Sequence, residues 1–269
     1  YLWQRVNDVW NRTIGRVAFI NCDPLFHGLD ESWNVLPAPP SWLTGHLLRK
    51  DCIIAPIPAA DYAKNSSELV LIPDLAISSK GEVGSVLLFG STNLEDMKSI
   101  ALPSDSATSV ALLRHLIKLR GLNPDFIEMG PDLDGMLSKC DGCLLIGDRA
   151  LEESSDNPEL VKMDLGSEWR RVSGHPMVFG VFAARKDSDV ELVKSAHAAL
   201  MERLVKFEND PVTRNEVIIA SSQKSSQTIE RLETYFGEVI NRIDPEDMGG
   251  LRAFLTDACE MANRPSMAW

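Results

Sequence analysis

The sequence is short of positive charge. Its 269 residues hold 27 Lys and Arg against 39 Asp and Glu, a net charge of −12 with His neutral. Nucleic acids are gripped by clustered cations that neutralise phosphates, and no basic run interleaved with aromatics occurs here, so nucleic acid is excluded as a partner. Long apolar runs are missing as well: stretches such as 177–184 fall far below the roughly 18 residues of a membrane-spanning helix, so no integral membrane protein is expected. Residues 1–13 lack the apolar stretch of a signal peptide. Cysteine is scarce. Five residues, at positions 22, 52, 140, 143 and 259, are odd in number and irregular in spacing, which suits a reducing compartment better than a disulfide framework. A cytoplasmic location is expected. Cys140-Asp141-Gly142-Cys143 is a lone CxxC with no second pair and no well-spaced His, which argues against zinc; it reads as small residues entering a buried strand.

Cofactor motifs are absent in the same way. There is no GxGxxG before a helix, no GxxxxGK[ST], no HExxH and no EF-hand loop, so no nucleotide, flavin or metal is expected. No GxSxG surrounds Ser85, and none of the five His falls into a Ser-His-Asp pattern.

What is present suffices for a packed core: 44% of residues are hydrophobic and 25% charged, enough for one large domain or two ordinary ones. From Arg16 onward short apolar, β-branched runs alternate with amphipathic stretches, the rhythm of an α/β domain with parallel strands. Strands are expected over 17–20, 34–36, 52–57, 69–77 and 85–89, with helices over 24–29, 41–49 and 60–64. A second unit starts near Leu94, with strands over 99–102, 126–129 and 143–146 and helices over 107–120 and 133–138. In the helix 107–120 Val110, Leu113 and Ile117 share a face, and Gly121 stands at the C-terminal cap. Residues 152–159 read as polar surface, 177–184 as a long buried strand, and 189–261 as largely helical. The simplest arrangement is two α/β lobes, 14–93 with 178–269 and 94–177, joined by two chain crossings. Ligands of such sheets collect beyond the carboxyl ends of the strands. The segments there are Asn21-Cys22-Asp23, Pro58-Ala59-Ala60, Ser104-Asp105-Ser106 and Gly147-Asp148-Arg149.

The most informative of these runs into Ser106-Ala107-Thr108-Ser109 at a helix start. Unpaired N–H groups, a partial positive charge and three hydroxyls (Ser106, Thr108, Ser109) converge there, which makes an anion site. Plain capping by Asp105 or Ser106 is the simpler alternative. Asn21 can donate to a carboxylate or hydroxyl, or serve only as a turn residue. Ser85 alone reads as an edge serine. Gly147 and Asp148 close a buried strand, and Asp148 either holds a substrate hydroxyl or caps the next helix. His27 and His175 are candidate acids or bases, although a lone His is more often structural.

The residues also carry a family resemblance. Ile14-Gly15-Arg16-Val17 leading into Phe19-Ile20-Asn21-Cys22-Asp23-Pro24-Leu25, then Val83-Gly84-Ser85-Val86-Leu87-Leu88-Phe89, resembles the menaquinone-biosynthesis chorismate dehydratases of the futalosine route. Ser106 to Leu113, Leu144 to Leu151, Asp164-Leu165-Gly166-Ser167-Glu168-Trp169 and Pro176-Met177-Val178-Phe179 come next, in matching order and spacing. The resemblance implies a two-lobe α/β fold of the type II periplasmic-binding-protein kind, with a ligand cleft between the lobes. It implies a cofactor-free dehydration of chorismate, a small dianion, to 3-[(1-carboxyvinyl)oxy]benzoate. It places Asn21 and Ser85 at the reacting centre. We assign Ser106, Thr108 and Ser109 to one substrate carboxylate and add Gly147 and Asp148 to the binding set. The proton goes to His27, His175, Asp148 or a carboxylate of the substrate itself. Two departures stand out: Pro58-Ala59 replace the hydroxyl residues common in relatives, and Asp23 sits where an apolar residue is common. The naphthoate synthases of the same superfamily carry a Ser-Pro-Cys-Pro-Asn-Asp type motif that Asn21-Cys22-Asp23-Pro24 matches poorly. A solute-binding protein for an aromatic or carboxylated ligand is the non-catalytic alternative.

Overall fold

The computed structural model describes residues 9–269, so most of the stretch 1–13, read for a signal peptide, lies outside the described residues. The chain is organised by three sheets. Strand β1 (Thr13–Val17) pairs in parallel with β2 (Asn34–Ala38). A four-stranded sheet runs β11 (Ile240–Ile243), β4 (Leu69–Ser79), β10 (Met177–Arg185), β3 (Ala55–Pro58). A five-stranded sheet runs β7 (Asp125–Glu128), β6 (Ser99–Leu102), β8 (Gly142–Ile146), β5 (Val86–Gly90), β9 (Val161–Asp164). Gly15 N–H donates to Ile54 C=O at 2.9 Å and Ile53 N–H to Thr13 C=O at 2.8 Å, which ties β1 to the chain entering β3.

The expected elements are mostly present, with three instructive differences. First, the chain leaves strand geometry at Val17, so the apolar run 17–20 is not a strand. Ala18 N–H donates to Ala38 C=O, Cys22 N–H to Phe19 C=O, and residues Ile20–Cys22 form a 3-10 turn leading into helix α1 (Asp23–Phe26). Pro24 lies in the first turn of α1, where its missing N–H costs nothing.

Second, the sheets are mixed rather than parallel. Strand β10 is antiparallel to both β3 and β4, and β5 is antiparallel to β8 and β9. A buried antiparallel strand carries the same continuous apolar run as a parallel one once both faces are covered; in β10 every residue but Arg185 is buried. The run 85–89 illustrates the consequence. Expected with the first unit, it pairs as β5 in the five-stranded sheet, so the chain passes between sheets at 80–85 and returns before β10.

Third, the polar surface stretch 152–159 is structured: its first five residues complete helix α6 (Gly147–Asp156), which buries Ala150 and Leu151, and Pro158–Leu160 form a 3-10 turn. Strand β9, the helix α7 (Leu165–Ser173) after it and β11 were not expected as separate elements; each is short and flanked by charge.

Between the strands lie α2 (Pro40–Leu48), α3 (Ala59–Asn65), α4 (Ala107–Leu119) and α5 (Leu133–Leu137), and the tail adds α8 (Val190–Asn209), α9 (Pro211–Ser225), α10 (Ile229–Glu238) and α11 (Pro245–Asp257). Asp189, Asp210, Thr228 and Asp244 cap the tail helices with their side chains. The face of Ala196, Leu200 and Leu204 is buried in the main apolar cluster. That cluster spans both larger sheets; a smaller one, including Phe89, Met136, Cys140 and Cys143, fills the far side of the five-stranded sheet. All five cysteines are free thiols, and burial pushes that of Cys143 up to about 12, as suits small residues packed in a core.

Candidate active site

Beyond the carboxyl ends of β1, β3, β6 and β8 lies a cavity with about 550 Å³ of empty space, counted out into the solvent at its mouth. Each of the four segments expected to reach a ligand supplies it with a wall residue: Asn21, Pro58, Ser106 and Gly147. Apolar side chains make up most of the remainder, among them Val17, Phe19, Ile77, Val86, Ile146 and Phe179. Among the described residues no Lys, Arg, His, Asp, Glu, Cys or Tyr lines it.

The N-terminus of α4 opens onto this space. Ser106 is its N-cap residue in backbone terms, yet the hydroxyl makes no capping bond. The first intrahelical bond is from Val110 N–H to Ser106 C=O at 3.1 Å. The N–H groups of Ala107, Thr108 and Ser109 therefore have no partner along the helix. Ser106, Thr108 and Ser109 are all buried and all line the cavity. Thr108 is partly engaged: its Oγ1 accepts the N–H of Ala60 in the first turn of α3, at 3.0 Å, which leaves its own hydrogen to donate. Asp105 does not cap either, because its Oδ2 pairs with Arg149 at 3.3 Å. The plain-capping alternative is thus set aside.

Asn21 sits in the 3-10 turn after β1, 9% exposed, and its Oδ1 has no hydrogen-bond partner among the described residues. Its backbone C=O is held by Asn241 Nδ2 at 3.1 Å, which fixes the turn. Ser85 is buried at the passage between the two larger sheets, and its Oγ accepts from the Tyr235 hydroxyl at 2.9 Å. Its C=O accepts the N–H of Gly147 at 2.8 Å. Gly147 is required twice over: φ is +62°, and a Cβ there would lie 2.7 Å from the ring of Phe19.

Asp148 departs from both expectations. It does not line the cavity and does not cap α6. Its Oδ1 accepts the backbone N–H of Ile20 at 3.1 Å. Burial pushes its carboxyl up to about 6, while the Ile20 bond and Arg16 pull downward and Asp23 adds to the rise. Asp23 is likewise outside the cavity. It forms an ion pair with Arg16, accepts from Ser221 Oγ at 2.6 Å, and lies 3.5 Å from Lys224 Nζ, so its charge is met within the protein. His27 and His175 do not line the cavity.

Tyr235 and Asn241 were not singled out from the sequence. Faint signals exist: Tyr235 is one of three tyrosines, and Asn241 is a lone amide between Ile240 and the pair Arg242-Ile243.

Two mixed sheets with helices packed on them, and a cavity beyond the strand ends, are the features of a periplasmic-binding-protein-like fold. Comparison with solved structures agrees. An Archaeoglobus fulgidus protein superposes with a TM-score of 0.73 at 18% identity, covering 91% of this chain and 96% of that one. The periplasmic aliphatic sulphonate binding protein of Escherichia coli gives 0.65 at 14% identity, covering 95% and 89%. Within that class the chain belongs to the menaquinone biosynthesis family, whose model matches residues 12–260. The chorismate dehydratase of Thermus thermophilus is 31% identical over 259 residues, 90% of this chain and 93% of that protein.

Proposed function

We propose that this protein is a chorismate dehydratase, a carbon–oxygen lyase that converts chorismate to 3-[(1-carboxyvinyl)oxy]benzoate and water. The observation that carries the reading is a largely apolar cavity that offers neutral donors and, among the described residues, no titratable side chain. Such a site suits a substrate that brings its own charges and becomes aromatic on reacting.

The α4 terminus, with Ser106, Thr108 and Ser109, receives one carboxylate through backbone N–H groups and hydroxyls. Asn21 and Ser85 meet the reacting face; the unpaired Oδ1 of Asn21 suits the hydrogen of the departing hydroxyl, and the Ser85 hydroxyl suits its oxygen. Asp148, His27 and His175 stand outside the lining, so the proton on the ring carbon bearing the enol ether passes to the substrate's own enol-ether carboxylate. The electron pair released runs through the diene to the ring carbon beside the other carboxylate. The C–O bond of the neighbouring hydroxyl then breaks, the hydroxide takes up the transferred proton, and water and an aromatic ring result. Aromatisation supplies the driving force, and the protein supplies orientation and donors already aimed at developing charge.

In this reading the four-stranded and five-stranded sheets belong to two lobes that close on the substrate, with the passages at 80–85 and 174–176 as hinge. A cytoplasmic location accompanies the biosynthetic role. Among the described residues no helix is long and apolar enough to cross a membrane. Conversion of chorismate by the purified protein, followed as growth of aromatic absorbance, tests the proposal.

A further inference from the structure

Tyr235 is fully buried, yet its helix α10 contributes no wall to the cavity. Its ring packs 5.6 Å from that of Phe236, with the Arg231 guanidinium 5.8 Å from the Tyr235 ring centre. A phenylalanine would serve that packing equally well and would spare the cost of burying a hydroxyl. The hydroxyl has one partner among the described residues, the Oγ of Ser85, reached across 150 positions of sequence at 2.9 Å. Ser85 is one of the cavity's few polar side chains.

From this contact we infer that Tyr235 is a positioning residue, which fixes the direction of the Ser85 hydroxyl so that Ser85 presents a hydrogen to the bound substrate. A phenol has a single hydrogen, and here it is spent on Ser85. Ser85 therefore accepts on the protein side and must send its own hydrogen elsewhere. The protein alternative is Val83 C=O at 3.5 Å, the outer limit of a hydrogen bond, so a substrate oxygen in the cavity competes easily. The Ser85 backbone is held as well, by Gly147 N–H on its C=O. The arrangement selects oxygen acceptors, a carboxylate or a leaving hydroxyl, at this point of the wall. It is not a relay: burial raises the Tyr235 phenol far above its ordinary range, so the proton stays on its oxygen and only orients the next one.

The inference rests on the dehydratase reading, and the test separates the two. Tyr235→Phe, Ser85→Ala and the double variant are compared with the wild type for chorismate turnover. Tyr235→Phe is expected to lower kcat about five- to tenfold with KM within about twofold, and to have no further effect once Ser85 is Ala. A merely structural role would lower both backgrounds alike. Wild-type kcat in Tyr235→Phe, or an equal loss in the Ser85→Ala background, overturns the inference while leaving the dehydratase reading intact. A ligand-free measurement covers the case in which chorismate is not turned over. The wild type should show a slowly exchanging tyrosine hydroxyl proton by NMR, absent in Tyr235→Phe and shifted in Ser85→Ala. A Tyr235 hydroxyl resonance unmoved by Ser85→Ala overturns it on that arm.

Discussion

The carboxylate of Asp148 accepts the backbone N–H of Ile20 at 3.1 Å, joining the start of α6 to the turn that carries Asn21. Burial raises its carboxyl from 3.8 to about 6, so between these pH values the folded protein holds a proton that the unfolded chain has released. Stability from this group is present below about pH 4 and is lost as pH rises through 6, at a cost on the order of 3 kcal/mol. Asp148→Asn keeps an acceptor for Ile20 and carries no charge. It should melt higher than the wild type at pH 7.5, with the advantage shrinking as pH falls toward 4. A lower melting temperature at pH 7.5 would show that the ionised carboxylate stabilises the fold.

Ser106 and Thr108 should separate binding from stability. The Ser106 hydroxyl caps nothing, so Ser106→Ala should change unfolding free energy by less than about 0.5 kcal/mol while raising KM for chorismate. Thr108→Val strands the Ala60 N–H in a buried site and should cost roughly 1–3 kcal/mol in denaturant unfolding. Equal stability losses in the two variants would refute the distinction.

Gly147→Ala forces a side chain into a left-handed backbone and into the Phe19 ring. A destabilisation of about 1–3 kcal/mol is expected. Turnover of the folded fraction should fall at least tenfold, because Phe19 precedes Ile20 and Asn21. Unchanged kinetics would mean that the contact is only packing.

Asn21→Ala and Ser85→Ala should each lower chorismate turnover at least tenfold, about 1.4 kcal/mol in transition-state stabilisation. Rates near wild type in both would remove these residues from the reacting centre.

Much of the site was legible because its segments obey local rules. Capping and turn residues follow apolar runs, and helix starts leave donors unpaired, so Asn21, Ser106 and Gly147 could be placed at strand ends before any coordinates. Strand direction was not legible. The runs that became β5 and β10 are continuously apolar, and such a run is silent about whether its neighbours are parallel. Long-range polar pairs were also hidden. Tyr235 reaches Ser85 across 150 positions and Asn241 reaches Asn21 across 220, distances over which no local pattern constrains the partner. Asp148 stands at the end of its strand as expected, but the backbone N–H that it accepts lies 128 positions away, beyond the reach of any local pattern.

In the proposed reaction neutral donors carry out a dehydration on a substrate that supplies its own base. Purified protein, treated with a chelator and given chorismate with no added cofactor, tests it most directly by mass spectrometry and NMR of the products. Conversion to 3-[(1-carboxyvinyl)oxy]benzoate and water is expected, with turnover falling in Ser85→Ala. Unchanged chorismate, bound or unbound, or a product other than this aromatic enol ether, would contradict it.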